Sequence, residues 1–202
     1  MAADRRLFAP TCALNERIGM FGRSRLAGLG FLALLFGWMW PGQGCGEEVS
    51  GLAQALGMQL PRVMKPAPAF SLVSLDGRRH ALADARGHWV LLHFWATWCP
   101  PCRAEMRALH RVAQRAHHLR IVCVNEDRGG KHGVEAFVRT QAPGMDVLLD
   151  EEGRVRRRYA VRALPTSYLI APDGRIFARA IGERDWLGPV GQRLLRALER
   201  ED

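Results

Sequence analysis

The sequence lacks the patterns that mark several common kinds of protein. Its 202 residues include only five cysteines, and just one pair of them, Cys99 and Cys102, is spaced as C-x-x-C. No second C-x-x-C and no H-x-x-x-H follows that pair, and this absence excludes a four-ligand structural zinc site. Internal repeats and low-complexity tracts are also missing, which excludes a repeat architecture.

Charge is absent from residues 26–46. The first part of this segment, residues 26–40 (LAGLGFLALLFGWMW), is strongly apolar, and it lacks the polar face and the caps of a helix buried in a domain core. A membrane-spanning helix needs about 20 apolar residues, so the segment lies between a short membrane anchor and a signal-peptide core. Basic residues precede the segment and acidic residues follow it: Arg5, Arg6, Arg17, Arg23, Arg25, Glu47 and Glu48. The positive-inside rule therefore places the N-terminus in the cytoplasm and predicts export of the rest.

The length predicts one domain with an N-terminal appendage, because an ordinary domain holds about 100 to 150 residues. We predict four parts in chain order: a basic cytoplasmic leader over residues 1–25, a membrane anchor or signal segment over 26–46, a linker that includes a short helix over 47–65, and one folded domain over 66–202. The net charge of the whole chain is +9, and the leader contributes part of it.

Two alternatives stay open for the N-terminal region. Cys45 follows Gly44, which suits a bacterial lipoprotein processing site, although Gly42 stands where a leucine is usual. A lipid on Cys45 is therefore the main alternative to an uncleaved anchor. Met20 is an alternative start, because the residues that follow it would form a compact charged leader.

The most informative stretch surrounds the cysteine pair. An apolar run, Trp89–Trp95, predicts a strand, and the apolar residues after Cys102 recur at helical spacing. The pair therefore lies at a helix N-terminus, where unpaired backbone N–H groups and the helix dipole favour a thiolate at Cys99. Cys102 lies one turn further along, within reach of a mixed disulfide on Cys99. Pro100-Pro101 fixes the backbone where a missing N–H costs little.

The pair could also be an inert structural disulfide, but so short a loop constrains little of the unfolded chain and would stabilise it little. We therefore interpret Cys99 as the nucleophile and Cys102 as the resolving thiol of a redox-active pair. Cys123 lies in an apolar run, and we interpret it as a small buried core thiol rather than a third redox group.

Strand and helix patterns alternate over residues 66–202. Asp76-Gly77 and Asp173-Gly174 each separate two apolar runs and predict β-hairpins. The run Ile121–Asn125 predicts a parallel strand buried on both faces. Further elements are predicted as helices over residues 132–141, 152–159 and 186–198 and as a strand over 147–149. Together these elements predict an α/β fold.

The stretch FWATWCPPC over residues 94–102, followed by Glu105, resembles the membrane-tethered extracytoplasmic thioredoxin-like proteins of the TlpA/ResA/CcmG type. The resemblance extends from about Pro66 to the C-terminus, and it includes residues 125–130, 164–170 and 172–174. It implies a thioredoxin-like α/β fold with an N-terminal β-hairpin extension. It also implies thiol-disulfide exchange that needs no cofactor.

The resemblance assigns a role to Glu105, one turn after Cys102. It would exchange a proton with the resolving thiol or tune its pKa. From the residues alone, the alternative is an exposed carboxylate paired with Arg103 or Arg107.

The resemblance assigns client binding to three residues: Trp98, Leu164 and Pro165. The Leu164–Pro165 peptide bond would be cis and would face the cysteines. The backbone of Leu164 would then pair with an extended client segment, as in strand addition.

Two residues depart from the pattern of the resembling proteins. Arg107 stands where a helix-kinking proline is usual, which predicts a straighter helix. His93 stands where Asn or Asp is more common. A lone histidine in a strand is usually a core residue, but His93 could instead make the thiol chemistry depend on pH near neutrality.

The predicted function is reduction of disulfides in client proteins at the periplasmic side of the bacterial inner membrane. The resemblance suggests clients such as apocytochrome c or cytochrome oxidase assembly factors, and a membrane thiol transporter as electron donor. Nucleic acid is not expected as a partner, because the basic run over residues 154–158 is typical of a solvated helix face. The direction of exchange stays open, since the same chemistry can insert disulfides.

Two other functions compete with this one. A thiol peroxidase needs the pattern P-x-x-x-T-x-x-C, but Thr97 lies only two residues before Cys99 and Leu92 replaces the proline. A copper-handling protein is the non-enzymatic alternative, because soft thiolates bind Cu(I) and the chain has seven histidines. No histidine follows the final strands at a spacing that favours a metal site, so no metal site is predicted.

Overall fold

The structure is a computed structural model, and it describes residues 45–201 of the chain. In this range the helices are α1 Cys45–Ala55, α2 Pro100–Ala113, α3 Lys131–Gln141, α4 Arg154–Arg158 and α5 Pro189–Glu199. The strands are β1 Ser71–Ser74, β2 Arg79–Ala81, β3 Trp89–Trp95, β4 Leu119–Asn125, β5 Val147–Leu149, β6 Thr166–Ile170 and β7 Ile176–Ile181. A short 3₁₀ helix, Leu82–Ala85, follows β2.

These strands form one mixed sheet in the order β2-β1-β5-β4-β3-β6-β7. The central strands β3, β4 and β5 run parallel. β1 pairs antiparallel with β5 and β2, and β6 pairs antiparallel with β3 and β7. The predicted α/β fold is confirmed, and the predicted parallel strand over residues 121–125 is part of β4, the middle strand of the sheet.

The sheet is covered on both faces. Alternate residues of β3 join two separate core clusters, one containing Val90, Leu92 and Phe94 and the other containing Trp89, Leu91 and Trp95. α4 covers the first face, and α1, α2, α3 and α5 cover the second. A strand buried on both faces has a continuous apolar sequence, which is why the run before the cysteines predicted β3.

The chain reverses direction at two Asp-Gly pairs. β1 and β2 pair antiparallel around Asp76-Gly77, and β6 and β7 pair antiparallel around Asp173-Gly174. The two glycines have φ angles of +81° and +80°. A residue with a Cβ is strained in this region, so both turns need glycine at these positions.

The short helix predicted within residues 47–65 is present as α1, but this segment packs on the domain instead of joining it as a linker. α1 packs on α5, and its residues Val49 and Leu52 are buried in the larger core cluster. The chain then runs beside β7, where Gln59 and Arg179 exchange backbone hydrogen bonds of 2.7 and 2.9 Å. The linker prediction missed this packing: the apolar stripe of the helix needs a partner, and α5 supplies it. The folded domain therefore includes residues before the predicted boundary.

Other predictions for the N-terminal region fall outside the described residues. These are the leader over residues 1–25, the alternative start at Met20, and almost all of the anchor or signal segment over 26–46. A lipid on Cys45 likewise stays a prediction. Between residues 45 and 201, no helix is both long enough and apolar enough to span a bilayer.

The last helix begins at Pro189 rather than at Trp186 as predicted. Proline is favoured at a first helical position, where its missing N–H would be unpaired anyway. Just before it, Asp185 Oδ1 accepts the backbone N–H of Gly188 at 2.8 Å. A Cβ on Gly191 would lie 2.5 Å from the carbonyl oxygen of Asp185 and 2.6 Å from that of Trp186. The segment before α5 is therefore packed tightly against the helix.

Replacing Gly191 by alanine should destabilise the fold, because the added methyl group cannot fit without moving main-chain atoms. We expect a loss of about 1 to 3 kcal/mol in the free energy of unfolding, measured by urea denaturation. Gly133→Ala in α3 is the control, since a Cβ built there has no atom within 4 Å outside its chain neighbours and the nearby backbone of its own helix. Alanine is the better helix former, so the control should be neutral or stabilising. Equal losses in both variants would contradict the tight packing at Gly191.

Candidate active site

Cys99 and Cys102 form a disulfide at the N-terminus of α2, with their Cα atoms 5.2 Å apart. Cys99 is the N-cap residue, and its Sγ accepts the backbone N–H of Cys102 at 3.3 Å. Pro100 and Pro101 precede that N–H and have none to offer, so it is the first donor of the helix. Because a helix N-terminus stabilises negative charge, this arrangement favours a thiolate at Cys99 once the disulfide is reduced.

The two cysteines differ slightly in their exposure to solvent. Cys99 is 5% exposed, whereas Cys102 is 0% exposed. The neighbouring Trp98 is 68% exposed, so its indole is available to a molecule that approaches Cys99. A disulfide of another protein can therefore approach Cys99 and not Cys102, which agrees with the predicted order of attack.

The loop before the cysteines is fixed to the end of the neighbouring strand. The backbone N–H of Thr97 lies 3.1 and 3.3 Å from the two carboxylate oxygens of Asp127. The N–H of Glu126 donates to the Trp95 carbonyl at 2.9 Å, and Asn125 Oδ1 accepts the N–H of Asp127 at 3.1 Å. Sequence reasoning missed Asp127, because nothing in its spacing connects an acid after β4 to the loop after β3.

The Leu164–Pro165 peptide bond is cis, as the resemblance implied. It lies at the same end of the sheet as the cysteines, since β6 begins at Thr166 and pairs there with Phe94, near the end of β3. The Pro165 carbonyl accepts the backbone N–H of Gly182 at 2.8 Å. The register of the sheet thus brings the cysteine pair and the cis-proline to the same end of the sheet.

Glu105 lies on the buried side of α2. It is 1% exposed, and its Oε1 accepts the Nε1–H of Trp186 at 2.5 Å. The alternative in which Glu105 pairs at the surface with Arg103 or Arg107 is therefore wrong. Burial raises the pKa of Glu105 to about 7, while the hydrogen bond from Trp186 and the nearby backbone of Arg184 act in the opposite direction. A carboxyl with this pKa can hold or release a proton at neutral pH.

His93 is fully buried on the face of β3 that α2 covers. Its Nδ1 lies 2.9 Å from Ser167 Oγ on β6, and its Nε2 has no hydrogen-bond partner among the described residues. Burial lowers the pKa of His93 to about 3, so the ring is neutral at physiological pH. The hypothesis that His93 titrates near neutrality and makes the thiol chemistry pH-dependent is therefore wrong.

Cys123 lies beside His93 in the parallel register of β3 and β4. It is a free thiol with no exposed surface. Burial raises its pKa far above the usual value, and the charges of Asp146 and Glu105 add to this effect. A thiol that stays protonated is a poor nucleophile, and the burial predicted for Cys123 is confirmed.

Possible metal ligands are not grouped in the part of the chain that the structure describes. Within residues 45–201, no three His, Cys, Asp or Glu side chains are arranged to hold a metal ion. The reduced cysteine pair would supply two soft sulfur donors, and the copper-handling alternative stays a prediction.

Comparison with known proteins assigns the site to a family. The model of the AhpC/TSA family matches residues 63–179, a range that contains both cysteines and the cis-proline. The chain belongs to the AhpC/TSA family. The matched range begins before β1 and ends within β7, so it covers most of the sheet of this AhpC/TSA protein.

Curated bacterial relatives of this AhpC/TSA protein share the same region. The chain is 41% identical over 113 residues to the thioredoxin-like protein YneN of Bacillus subtilis, a match that covers 54% of this chain and 66% of YneN. It is 32% identical over 125 residues to the thiol-disulfide oxidoreductase ResA of Bacillus cereus, a match that covers 61% of this chain and 72% of ResA.

A solved structure shows the same fold. The crystal structure of a thiol:disulfide interchange protein DsbE from Chlorobium tepidum matches with a TM-score of 0.59 and 30% identity, over 69% of this chain and 99% of that one. The fold is therefore thioredoxin-like. The named relatives and the Cys99–Cys102 bond together make this AhpC/TSA protein a thiol-disulfide oxidoreductase.

A chain with His93→Asn should respond to acid differently from the unmodified chain. An unfolded histidine has a pKa of about 6.5, whereas folded His93 has a pKa of about 3. Between these values only the unfolded chain binds the proton, so acidification lowers the free energy of unfolding by up to about 1.4 kcal/mol per pH unit. We expect the unmodified chain to lose this stability relative to H93N below about pH 6.5, measured by urea denaturation.

Above about pH 6.5 the stability difference between the two chains should be constant, because folded and unfolded His93 are then both neutral. Thiol reactivity near neutral pH should titrate in the same way in both chains. A stability difference that stays flat down to about pH 4.5 would show that the pKa of His93 is not lowered.

Proposed function

We propose that this AhpC/TSA protein reduces disulfide bonds of client proteins outside the cytoplasmic membrane. The observation that carries the proposal is the asymmetry of the cysteine pair. Cys99 caps α2 and keeps 5% of its surface exposed, whereas Cys102, one turn along the helix, has none. This arrangement suits a nucleophile that is followed by a resolving thiol. An inert disulfide would need neither an N–H directed at one sulfur nor the exposed Trp98 beside it.

The proposed exchange has two steps that balance in electrons and protons. The Cys99 thiolate attacks one sulfur of the client disulfide, a Cys99–client disulfide forms, and the other client sulfur leaves as a thiolate. Cys102 then loses its proton and attacks Cys99 Sγ, which releases the second client sulfur as a thiolate. The client gains two electrons and, with two protons, becomes a dithiol. The chain returns to the Cys99–Cys102 disulfide seen in the structure.

Glu105 supports the second step by accepting the Cys102 proton. The two residues lie one turn apart on α2, and both are closed to solvent. Bulk water therefore cannot take the proton directly. A neighbouring carboxyl with a pKa of about 7 is a suitable base at neutral pH.

Client contact is proposed at Trp98 and at the backbone of Leu164. The exposed indole offers an apolar surface next to Cys99. Leu164 precedes the cis-proline at the same end of the sheet, where an extended client segment can add as a short strand. Both contacts would hold the client disulfide next to Cys99.

Export and electron supply complete the proposal. The apolar segment over residues 26–46 and its basic flank support a domain on the periplasmic side of the bacterial inner membrane. Proposed clients are apocytochrome c or cytochrome oxidase assembly factors, which the resemblance of the FWATWCPPC stretch supports. A membrane dithiol protein would return electrons by reducing the Cys99–Cys102 bond through the same exchange.

Variants of the two cysteines test the order of attack. In the full chain, Cys102→Ser should trap a mixed disulfide between Cys99 and an oxidised model peptide, because the resolving thiol is missing. Cys99→Ser should neither trap the peptide nor reduce it. Mass spectrometry identifies the trapped sulfur, and titration of released peptide thiols follows the reduction.

Cys123→Ser is the matched control for these variants, since it removes a buried thiol that the mechanism does not use. It should reduce the peptide at the rate of the unmodified chain. Reduction by the Cys99→Ser chain, or trapping through Cys123, would contradict the mechanism. Faster consumption of hydrogen peroxide than of peptide disulfide would favour the thiol peroxidase alternative.

A further inference from the structure

One oxygen of the buried Glu105 carboxyl is bonded and the other is not. Oε1 accepts the Nε1–H of Trp186 at 2.5 Å, and both side chains are almost fully buried. Oε2 is closed to solvent and has no hydrogen-bond partner among the described residues. A buried carboxyl oxygen without a hydrogen-bond partner lowers the free energy of unfolding. A role for Oε2 in proton transfer would account for that cost.

The segment that supplies the donor is itself held by main-chain contacts. Gly191 brings α5 so close that a Cβ there would lie 2.6 Å from the carbonyl oxygen of Trp186. The N–H of Trp186 donates to the Arg184 carbonyl at 3.1 Å, and that of Gly188 donates to the Asp185 carbonyl at 3.3 Å. The indole therefore has a fixed position and can hold the carboxyl in one orientation.

We propose that Trp186 is a positioning residue of the active site, which occupies Oε1 of Glu105 and leaves Oε2 as the oxygen that takes the proton of Cys102. This inference rests on the proposed function, because it adds a residue to the resolving step of that exchange. Trp186 acts only through Glu105 and takes part in no bond that forms or breaks.

The indole N–H also influences how much of Glu105 is ionised. Burial raises the pKa of Glu105 to about 7. A hydrogen bond donated to a carboxylate favours the ionised form, so the indole N–H lowers the pKa and opposes the effect of burial. The other titratable and charged groups around this carboxyl are Cys102 on α2, Cys123 on β4, His93 beside Cys123 on β3, and Glu183 and Arg184 in the segment before α5. None of these groups changes when the indole donor alone is removed.

Trp186→Phe removes the donor and keeps an aromatic ring in the core. We expect the pKa of Glu105 to rise by about one unit or more, a tenfold or larger loss of acidity. The ionised fraction at neutral pH would fall from about half to about a tenth or less. Release of peptide from the Cys99 mixed disulfide should therefore slow about fivefold or more at neutral pH and recover at higher pH.

Two readouts and one matched control make the test specific. Infrared difference spectroscopy of the oxidised full chain reports the pKa of Glu105, and Glu105→Gln identifies its carboxyl band. The pH profile of peptide release reports the resolving step. Trp89→Phe is the control, because Trp89 lies in the same core cluster and its Nε1 has no partner within residues 45–201. It should leave the pKa and the pH profile unchanged.

A measurement on the unmodified chain makes the test independent of how the Trp186 variant folds. The indole N–H resonance of Trp186, observed by NMR in the oxidised ¹⁵N-labelled chain, should shift with pH as Glu105 ionises. The shift should have its midpoint near the pKa of Glu105, about 7. Glu105→Gln should abolish it.

The inference is overturned if Trp186→Phe leaves the pKa of Glu105 unchanged, if Trp89→Phe alters it as much, or if the indole resonance does not titrate. An unchanged pH profile despite a raised pKa would also overturn it, because Glu105 would then take no proton from Cys102. If the unmodified chain fails to reduce the peptide, the proposed function is wrong, while the infrared titration still tests the contact between Trp186 and Glu105.

Discussion

The start of α2 at Cys99 is the constraint on which the active site depends. The sulfur takes the place of an N-cap side chain, because the two prolines that follow it have no N–H and the first donor, on Cys102, is directed at Cys99 Sγ. One sulfur thereby lies at the positive end of the helix, and the other is buried in the core. Asp127 holds the preceding loop in place by accepting the N–H of Thr97. The difference between nucleophile and resolving thiol follows from where the helix begins.

Burial gives three polar groups near α2 different protonation states. His93 is held neutral and Cys123 is held protonated, because the interior disfavours the charged form of each. Glu105 experiences the same penalty, but the indole of Trp186 and the backbone of Arg184 offset it in part. Of these three groups, Glu105 alone can change its protonation at neutral pH. Its pKa near neutrality thus results from burial, which is the larger effect, and from the donors that oppose it.

The sequence predicts the features that depend on neighbours along the chain. The apolar run, the prolines and the helical spacing place Cys99 at a helix N-terminus, and the Asp-Gly pairs mark turns that need glycine. Features that depend on distant residues were missed. α1 packs on α5, and Glu105 accepts a hydrogen bond from a residue 81 positions away in the sequence. His93 is enclosed by the two strands that neighbour β3. No spacing in the sequence signals such contacts, because the register of the sheet and the packing of helices create them.

The equilibrium reduction potential of the Cys99–Cys102 pair tests the central claim most directly. It can be measured in the full chain with Cys123→Ser, equilibrated in thiol buffers of defined potential. A pair that reduces clients should equilibrate near or below about −220 mV, and this is the result that we predict. A potential near −120 mV would mark an oxidant that inserts disulfides and would contradict the account. Failure of the pair to form a disulfide at any potential would contradict it as well.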